Sequence, residues 1–479
     1  MRYTEACHPL TSKLDQLDLN VQIQCLADVD RELFGSTWGD GLMDLRVIAK
    51  IEQVQKDIQE VLRHPNGKVV LSGAGTSGRI AYYMANSLDN SKLVGFIAGG
   101  PEAFFRAKER IEDLPEQGRL DLEPILEQPG PVLYIGITCG LSAAYVAGQI
   151  EACRSHSNAQ SVLLGFNPQE EANARHLDSI GCSFKELIQT ETQAGRCTLV
   201  NPVIGPEPVT GSTRMKGGTA TLLLLYLMLE PLPVKATLDK MCDLQKTWHA
   251  NGAELTAIIG AAKLSLSSGG SLTYLADEAS GFLAFLDASE CPPTYSAEEK
   301  DVRALVPGTF MERFPELCLT GRTYQDFQAE HVSTWLRTCD LDKLPALGDL
   351  KIHHLPPVDV SSFDDPRARR CAFELAIKWY LNTISSLAFV QLGKVIGNRM
   401  VDLRISNLKL MDRAVRILVD VSGQPEAVCR ERLFGEIKAR ADRPVEGIEE
   451  LIEVAVGERG LVAYVARMLL SEQSEEIPS

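Results

Sequence analysis

Val69-Val-Leu-Ser-Gly-Ala-Gly-Thr-Ser-Gly-Arg79 reads as a strand, a glycine-rich turn and the start of a helix. Gly73, Gly75 and Gly78 let the backbone take positive φ and come close to a ligand. Thr76 and Ser77 add hydroxyl donors. A helix opening near Arg79 points free N–H groups and the positive end of its dipole at an anion. No lysine follows the glycines, which disfavours a nucleoside triphosphatase loop. The glycines do fit a GxGxxG spacing, but a dinucleotide fold wants an acidic residue about 20 positions on. The next apolar run ends instead in Ile97-Ala-Gly-Gly100. The loop therefore reads as a phosphate site, with no cofactor implied.

Around this loop the pattern alternates. Apolar runs of strand length at 69–71, 92–98, 132–137, 161–166 and 198–200 are separated by helical patterns such as 79–88 and 142–152. That alternation predicts an α/β fold, a parallel sheet covered on both faces by helices. A helical connector over 240–266 leads to a second alternation: strands at 272–275, 302–306 and 350–353, helices at 281–289 and 325–337, and a closing helix over 367–392. From Asn407 onward the pattern is helical, broken at Ser422-Gly-Gln-Pro425 and Arg443-Pro444. Helical stretches at 14–33 and 44–62 precede the first sheet. The expected domains are a helical segment (1–62), a ligand-binding α/β domain (63–240), a second α/β domain (241–400) and a helical cap (401–479).

A second loop, Gly136-Ile-Thr-Cys-Gly-Leu-Ser142, ends the third strand, with Ser142 read as the N-cap of the next helix. In an open α/β sheet the loops at the carboxyl ends of neighbouring strands converge on one crevice. Thr138 and Ser142 are therefore expected to join Thr76 and Ser77 around one phosphate. A third element, Val209-Thr-Gly-Ser-Thr-Arg-Met-Lys-Gly-Gly-Thr-Ala220, places Arg214 and Lys216 just before an apolar helix, where they read as an anion clamp.

Composition narrows the function. With 48 Lys+Arg against 64 Asp+Glu the net charge is -16, and no basic patch opposes it, so nucleic acid is not the expected partner. The longest apolar run, 222–229, is far short of the roughly 20 residues that cross a bilayer. Neither a signal sequence nor a CxxC pair appears, and the 12 cysteines are scattered; the expected setting is a reducing cytoplasm. The 8 histidines show no metal-binding spacing, so no metal is expected.

Together GAGTSGR, GITCGLS and GSTRMKGGTA, with Phe96-Ile-Ala-Gly-Gly100, resemble the sugar isomerase (SIS) fold. More narrowly, they resemble the group shared by the glucokinase regulatory protein and the N-acetylmuramic acid 6-phosphate etherases. The resemblance covers most of the chain, including 201–208 and 393–407. It implies two SIS domains and a helical cap in one chain, as in the regulatory protein, whereas the etherases are single-SIS chains that pair. It also implies a sugar phosphate ligand held by Gly75, Thr76, Ser77, Gly78, Thr138, Gly140, Ser142 and Arg214, with Lys378 reaching in from the other half. Glu109-Arg-Ile-Glu112-Asp113 matches the family's glutamate motif, so Glu109 and Glu112 are candidate sugar-binding residues, and Glu112 is the candidate base of an etherase. The second etherase glutamate belongs to a motif found here as Asp287-Ala-Ser-Glu-Cys-Pro-Pro-Thr-Tyr295, making Glu290 the candidate acid. In the first half, Ser87 stands at the corresponding place.

Two readings follow from the resemblance. One is a phosphosugar sensor that answers to fructose phosphates or a hexosamine 6-phosphate and binds a sugar kinase. The other is a lyase that releases D-lactate, with Glu112 and Glu290 catalytic if the second half delivers Glu290 to the first. An aldose–ketose isomerase is the weaker alternative, because no histidine lies near the loops. Asp277 and Glu278 stand in the second half's equivalent loop, where they would repel phosphate, so one ligand per chain is expected.

Overall fold

The computed structural model describes residues 3–104, 111–277, 279–306, 322–323, 334–337, 352–405, 408–458 and 460–475. Helices α1 (Leu19–Arg31) and α2 (Leu45–Arg63) lead into the first sheet. Its strands are β1 (Lys68–Gly73), β2 (Leu93–Ile97), β3 (Val132–Ile137), β4 (Ala159–Leu164) and β5 (Cys197–Val200), all parallel, in the order β2-β1-β3-β4-β5. Strand order changes direction between β1 and β3, and ligands of such sheets bind in the crevice at that switch point. Both glycine-rich loops leave the sheet there. Helices α3 (Gly75–Ser87), α4 (Pro115–Leu126), α5 (Ala144–Arg154) and α6 (Phe184–Gln193) lie between the strands, and α7 (Lys216–Leu229) follows β5.

The expected connector is two helices, α8 (Val234–Thr247) and α9 (Gly252–Ser267), split by a short 3-10 turn at Trp248–Asn251. The second sheet holds β6 (Leu272–Leu275), β7 (Val302–Val306), β8 (Arg322–Thr323), β9 (Thr334–Arg337) and β10 (Ile352–His354), in the order β8-β7-β6-β9-β10. Residues 334–337 correct the expectation of a helix over 325–337. Thr-Trp-Leu-Arg is a β-favouring run, and it pairs on both edges, with β6 and with β10. The rest of that expected helix lies outside the described residues.

Helices α10 (Gly281–Tyr295) and α11 (Pro366–Gln391) of the second half pack against α3 and α7 of the first. Both α7 and α11 are buried almost all round, as expected of helices at the middle of a large core. One apolar core accordingly runs through both halves. The cap, α12 (Leu408–Ser422), α13 (Glu426–Ala439), α14 (Ile448–Gly457) and α15 (Leu461–Glu475), has a core of its own. A strap of residues 4–11 ties these parts together. The Thr4 N–H donates to Asn167 at 3.1 Å, and Asn398 donates to Thr11 at 2.9 Å. Glu5 pairs with Arg413 of the cap at 2.7 Å. Among the described residues no helix is long and apolar enough to cross a membrane.

Candidate functional site

Gly75 opens α3, four residues earlier than the sequence suggested, so Gly75, Thr76, Ser77 and Gly78 form its first turn. Composition there favours a loop, but packing decides. A Cβ on Gly78 would lie 2.5 Å from the Gly73 carbonyl oxygen, and one on Gly73 would lie 3.0 Å from the Gly78 nitrogen. Gly75 enters the helix at φ +54°, in the left-handed region. Only glycines allow a turn this tight. Thr76 and Ser77 are both buried beside the free N–H groups of the helix start.

In the second loop the cap differs from the expectation. Helix α5 begins at Ala144, and Ser142 does not cap it. Thr138 satisfies the backbone there instead, its Oγ1 accepting from the N–H groups of Ser142 and Ala143, each at 3.2 Å. Gly140 precedes Leu141, a buried residue at φ +50° whose N–H returns to the Thr138 carbonyl at 3.0 Å. The loops do converge. Ser77 Oγ lies 3.5 Å from Cys139 Sγ. A Cβ on Gly217, at the start of α7, would lie 3.2 Å from the same sulfur.

Lys216 and Arg214 are not loose cations awaiting a ligand. Lys216 is fully buried and donates to Glu32 at 3.0 Å, so it is corrected from a clamp to a structural charge. His8 and Trp38 also bond Glu32, at 2.9 and 2.8 Å. Burial disfavours the Glu32 charge, but these donors outweigh it and hold its pKa at about 2. Glu207 sits on the N-terminus of α7, accepting from the N–H groups of Lys216 and Gly217 at 2.8 Å each. Burial still pushes Glu207 up to about 7.

Arg214 reaches across to the second half. It donates to Asp287 on α10 at 2.6 Å, and to Ser386 and Ser385 on α11 at 2.8 and 3.2 Å. Burial works against its charge, and Asp287 and Tyr295 outweigh that, holding its pKa well above the usual range. Asp287 also accepts from Tyr274 at 2.7 Å and from Ser385 at 3.1 Å.

Lys378 crosses in the opposite sense, from α11 to the first half. It donates to the carbonyls of Arg214 and Met215 at 2.6 and 3.1 Å, and to the Asn382 amide oxygen at 2.7 Å. A Cβ on Gly218 would lie 3.3 Å from both Lys378 Nζ and Thr76 Cγ2, so the lysine and the first loop meet over that glycine. Burial pushes Lys378 down to about 8, opposed by Asp30. Asp30, on α1, is raised to about 7, again by burial.

Glu290 makes the same crossing. Its Oε1 accepts from Thr76 Oγ1 at 2.7 Å and from Arg79 Nη1 at 2.6 Å. The position it holds in the second half belongs in the first to Ser87, whose hydroxyl bonds back to Met84 of its own helix at 3.4 Å. Glu290, Asp287, Arg214, Lys378 and Asn382 line a small cavity between the halves. Glu112 stands on the short 3-10 turn Ile111–Asp113, which packs against α5 behind the second loop. Glu109 lies outside the described residues.

Four site residues, Asp30, Glu32, Glu207 and Asp287, were not assigned from sequence. Glu207 carries a legible signal, a lone acid between two prolines in the otherwise uncharged run 201–209. Asp30 and Glu32 carry none, because they sit in an ordinary amphipathic pattern.

The second half's equivalent loop is already filled. Asp277 Oδ1 accepts from Ser280 N–H at 2.8 Å and from Ser280 Oγ at 2.7 Å, covering the start of α10. Glu278 lies outside the described residues. A titration with fructose 6-phosphate is expected to saturate at one equivalent per chain; two would mean that Asp277 gives way.

The family model "Glucokinase regulatory protein N-terminal SIS domain" matches residues 51–154, and "C-terminal lid domain of glucokinase regulatory protein" matches 397–474. The chain is 31% identical to the glucokinase regulatory protein of Xenopus laevis, over 91% of this chain and 83% of that one. It is 29% identical to the human protein, over 91% and 82%. Similarity to the N-acetylmuramic acid 6-phosphate etherase of Rhodopirellula baltica is 31% identity, over 47% of this chain and 67% of the etherase.

Proposed function

The chain belongs to the glucokinase regulatory protein family, and from that premise we propose that it is a phosphosugar-binding regulator of the same type, acting on a sugar kinase. The observation that carries this reading is the double crossing in one chain. The second half sends Lys378 to the Arg214 and Met215 carbonyls and Glu290 to Thr76 of the first, while Asp277 bonds within its own loop. A site built from both halves in this way can report ligand occupancy as a change in how the halves meet.

In this reading the phosphate lies on Thr76, Ser77, Thr138 and Ser142, with the glycines Gly75, Gly78 and Gly140 giving backbone access. Lys378 supplies the positive charge, and Glu109 and Glu112 accept from sugar hydroxyls. Arg214 acts at one remove, by holding α10 and α11 in place. The ligand-binding domain is 63–240, the second SIS domain 241–400 and the cap 401–479; the compartment is the cytoplasm. Calorimetry with fructose 6-phosphate and fructose 1-phosphate tests the ligand class, and inhibition of a glucose-phosphorylating kinase tests the partner. Sugar phosphate binding without any effect on such a kinase would overturn the regulatory half of the proposal.

One observation favours the lyase alternative. Glu290 reaches the Thr76 turn of the first half, where elimination of lactate would need an acid. Incubation with N-acetylmuramate 6-phosphate is expected to release no lactate. Release that is lost in Glu290→Gln, with the sugar phosphate still bound, would establish the enzyme instead.

A further inference from the structure

We propose that Glu207 is a positioning residue for the sugar phosphate: as a resident anion it fills the start of α7, leaves the start of α3 as the seat for the ligand's phosphate, and holds Gly217 and Gly218 against the two loops. This rests on the reading of the Thr76–Ser77 turn as the phosphate site.

Three segments bring backbone N–H groups to the crevice, and two of them already have acceptors. In the second loop Thr138 Oγ1 accepts from Ser142 and Ala143. At the start of α7 each oxygen of Glu207 accepts one N–H at 2.8 Å, Oε2 from Lys216 and Oε1 from Gly217. The start of α3 differs. No side chain caps it, and among the described residues the N–H groups of Gly75, Thr76 and Ser77 have no acceptor. Helix starts attract anions alike, through aligned N–H groups and the dipole. With Glu207 in place, only α3 offers that attraction to a ligand.

The occupant is fixed from both sides. Pro206 and Pro208 restrict the backbone around the acid. Gly205, at φ +75°, packs so closely that a Cβ would lie 2.2 Å from Trp38 Cδ1. Glu207 itself is fully buried. A buried carboxylate is costly unless it is bonded and paired. Here the two N–H groups bond it, and Lys216 and Lys378 supply opposing charge.

Its position is passed on through two glycines. A Cβ on Gly217 would lie 2.9 Å from Glu207 Oε1 and 3.2 Å from Cys139 Sγ, so this residue is held between the carboxylate and the second loop. A Cβ on Gly218 would lie 3.3 Å from Thr76 Cγ2 and from Lys378 Nζ. One glycine therefore faces each loop, and the carboxylate sets where both sit. Glu207 acts on the ligand without touching it.

The test is calorimetry on the full chain, comparing wild type, Glu207→Ala and Glu207→Gln with fructose 6-phosphate and with inorganic phosphate. Measurement at pH 8 lies above the value of about 7 to which burial raises Glu207, so the wild-type carboxylate is mostly ionised. Wild type is expected to take one equivalent of either probe. Glu207→Ala is expected to bind fructose 6-phosphate at least about tenfold more weakly, the weight of one charge-assisted hydrogen bond. Its emptied α7 start should also take a second equivalent of inorganic phosphate. Acetate matches the part of the side chain that alanine lacks. It is expected to restore the sugar phosphate affinity of Glu207→Ala and to leave wild type unchanged. Glu207→Gln turns an NH2 group towards one of the two N–H groups, so it should also bind more weakly. Acetate should not restore it, because the space is filled. The glutamine variant carries the test if the alanine variant does not fold.

Unchanged affinity for fructose 6-phosphate in the variants, with wild type binding normally, would overturn the positioning role. Weakening in Glu207→Ala that acetate leaves as it is would also overturn it, and make Glu207 a purely structural cap. A single equivalent of inorganic phosphate in that variant would overturn the resident anion. If wild type itself does not bind fructose 6-phosphate, the phosphate site is misread, and the role of Glu207 falls with it.

Discussion

Asp287→Ala is expected to destabilise the chain by about 3–5 kcal/mol, the cost of stranding a buried cation. Arg214 and Asp287 are each nearly inaccessible to solvent, at 3% and 4% exposure, and bond at 2.6 Å. Truncating the acid leaves Arg214 without its counter-charge and removes the acceptor of Tyr274 and Ser385. Folded proteins hold only about 5–15 kcal/mol in reserve, so the loss is a large share of the total. The denaturant midpoint measures it. Replacing both partners by apolar residues, Arg214→Met with Asp287→Leu, should recover most of the loss, because neither charge is then left buried. A midpoint unmoved by Asp287→Ala would mean that the junction of the halves does not depend on this pair.

The largest effect on binding is expected from Thr76→Ala combined with Ser77→Ala. Each charge-assisted hydrogen bond to phosphate contributes about 1.5–3 kcal/mol. Loss of both predicts at least about a hundredfold weaker binding of fructose 6-phosphate. The backbone should be spared, since alanine is comfortable in the first turn of a helix. Calorimetry reads the result directly, and unchanged affinity would move the phosphate away from this turn.

Strands were the most legible part of the fold. Short apolar runs closed by glycine, proline or asparagine place β3, β6 and β7 to the residue. The same local logic misleads at helix starts. Gly75–Gly78 looks like a loop because glycine and hydroxyl residues are poor helix formers, yet close packing of Gly73 against Gly78 winds them into α3. Ser142 has the right chemistry for a cap, but Thr138 approaches the same N–H groups from the preceding turn. The site shows a similar limit. A motif can identify Glu290 and Lys378, but whether they face their own half or the other depends on how α10 and α11 pack, which no local pattern encodes. Lys216 reads as an anion clamp for want of its partner: Glu32 is 184 residues away.

The strap of residues 4–11 also bears on how such a chain is made. Glu5 and Arg413 are separated by 408 positions of sequence. A ribosome adds about 5–20 residues each second, so Glu5 waits roughly 20–80 seconds for that partner to be synthesised. Cys7 and Thr11 wait almost as long for Asn398. Both sheets can form in that interval, whereas residues 4–11 are among the last to settle. Until Arg413 has cleared the exit tunnel, Thr4, His8 and Thr11, all buried in the finished molecule, are open to proteases and chaperones.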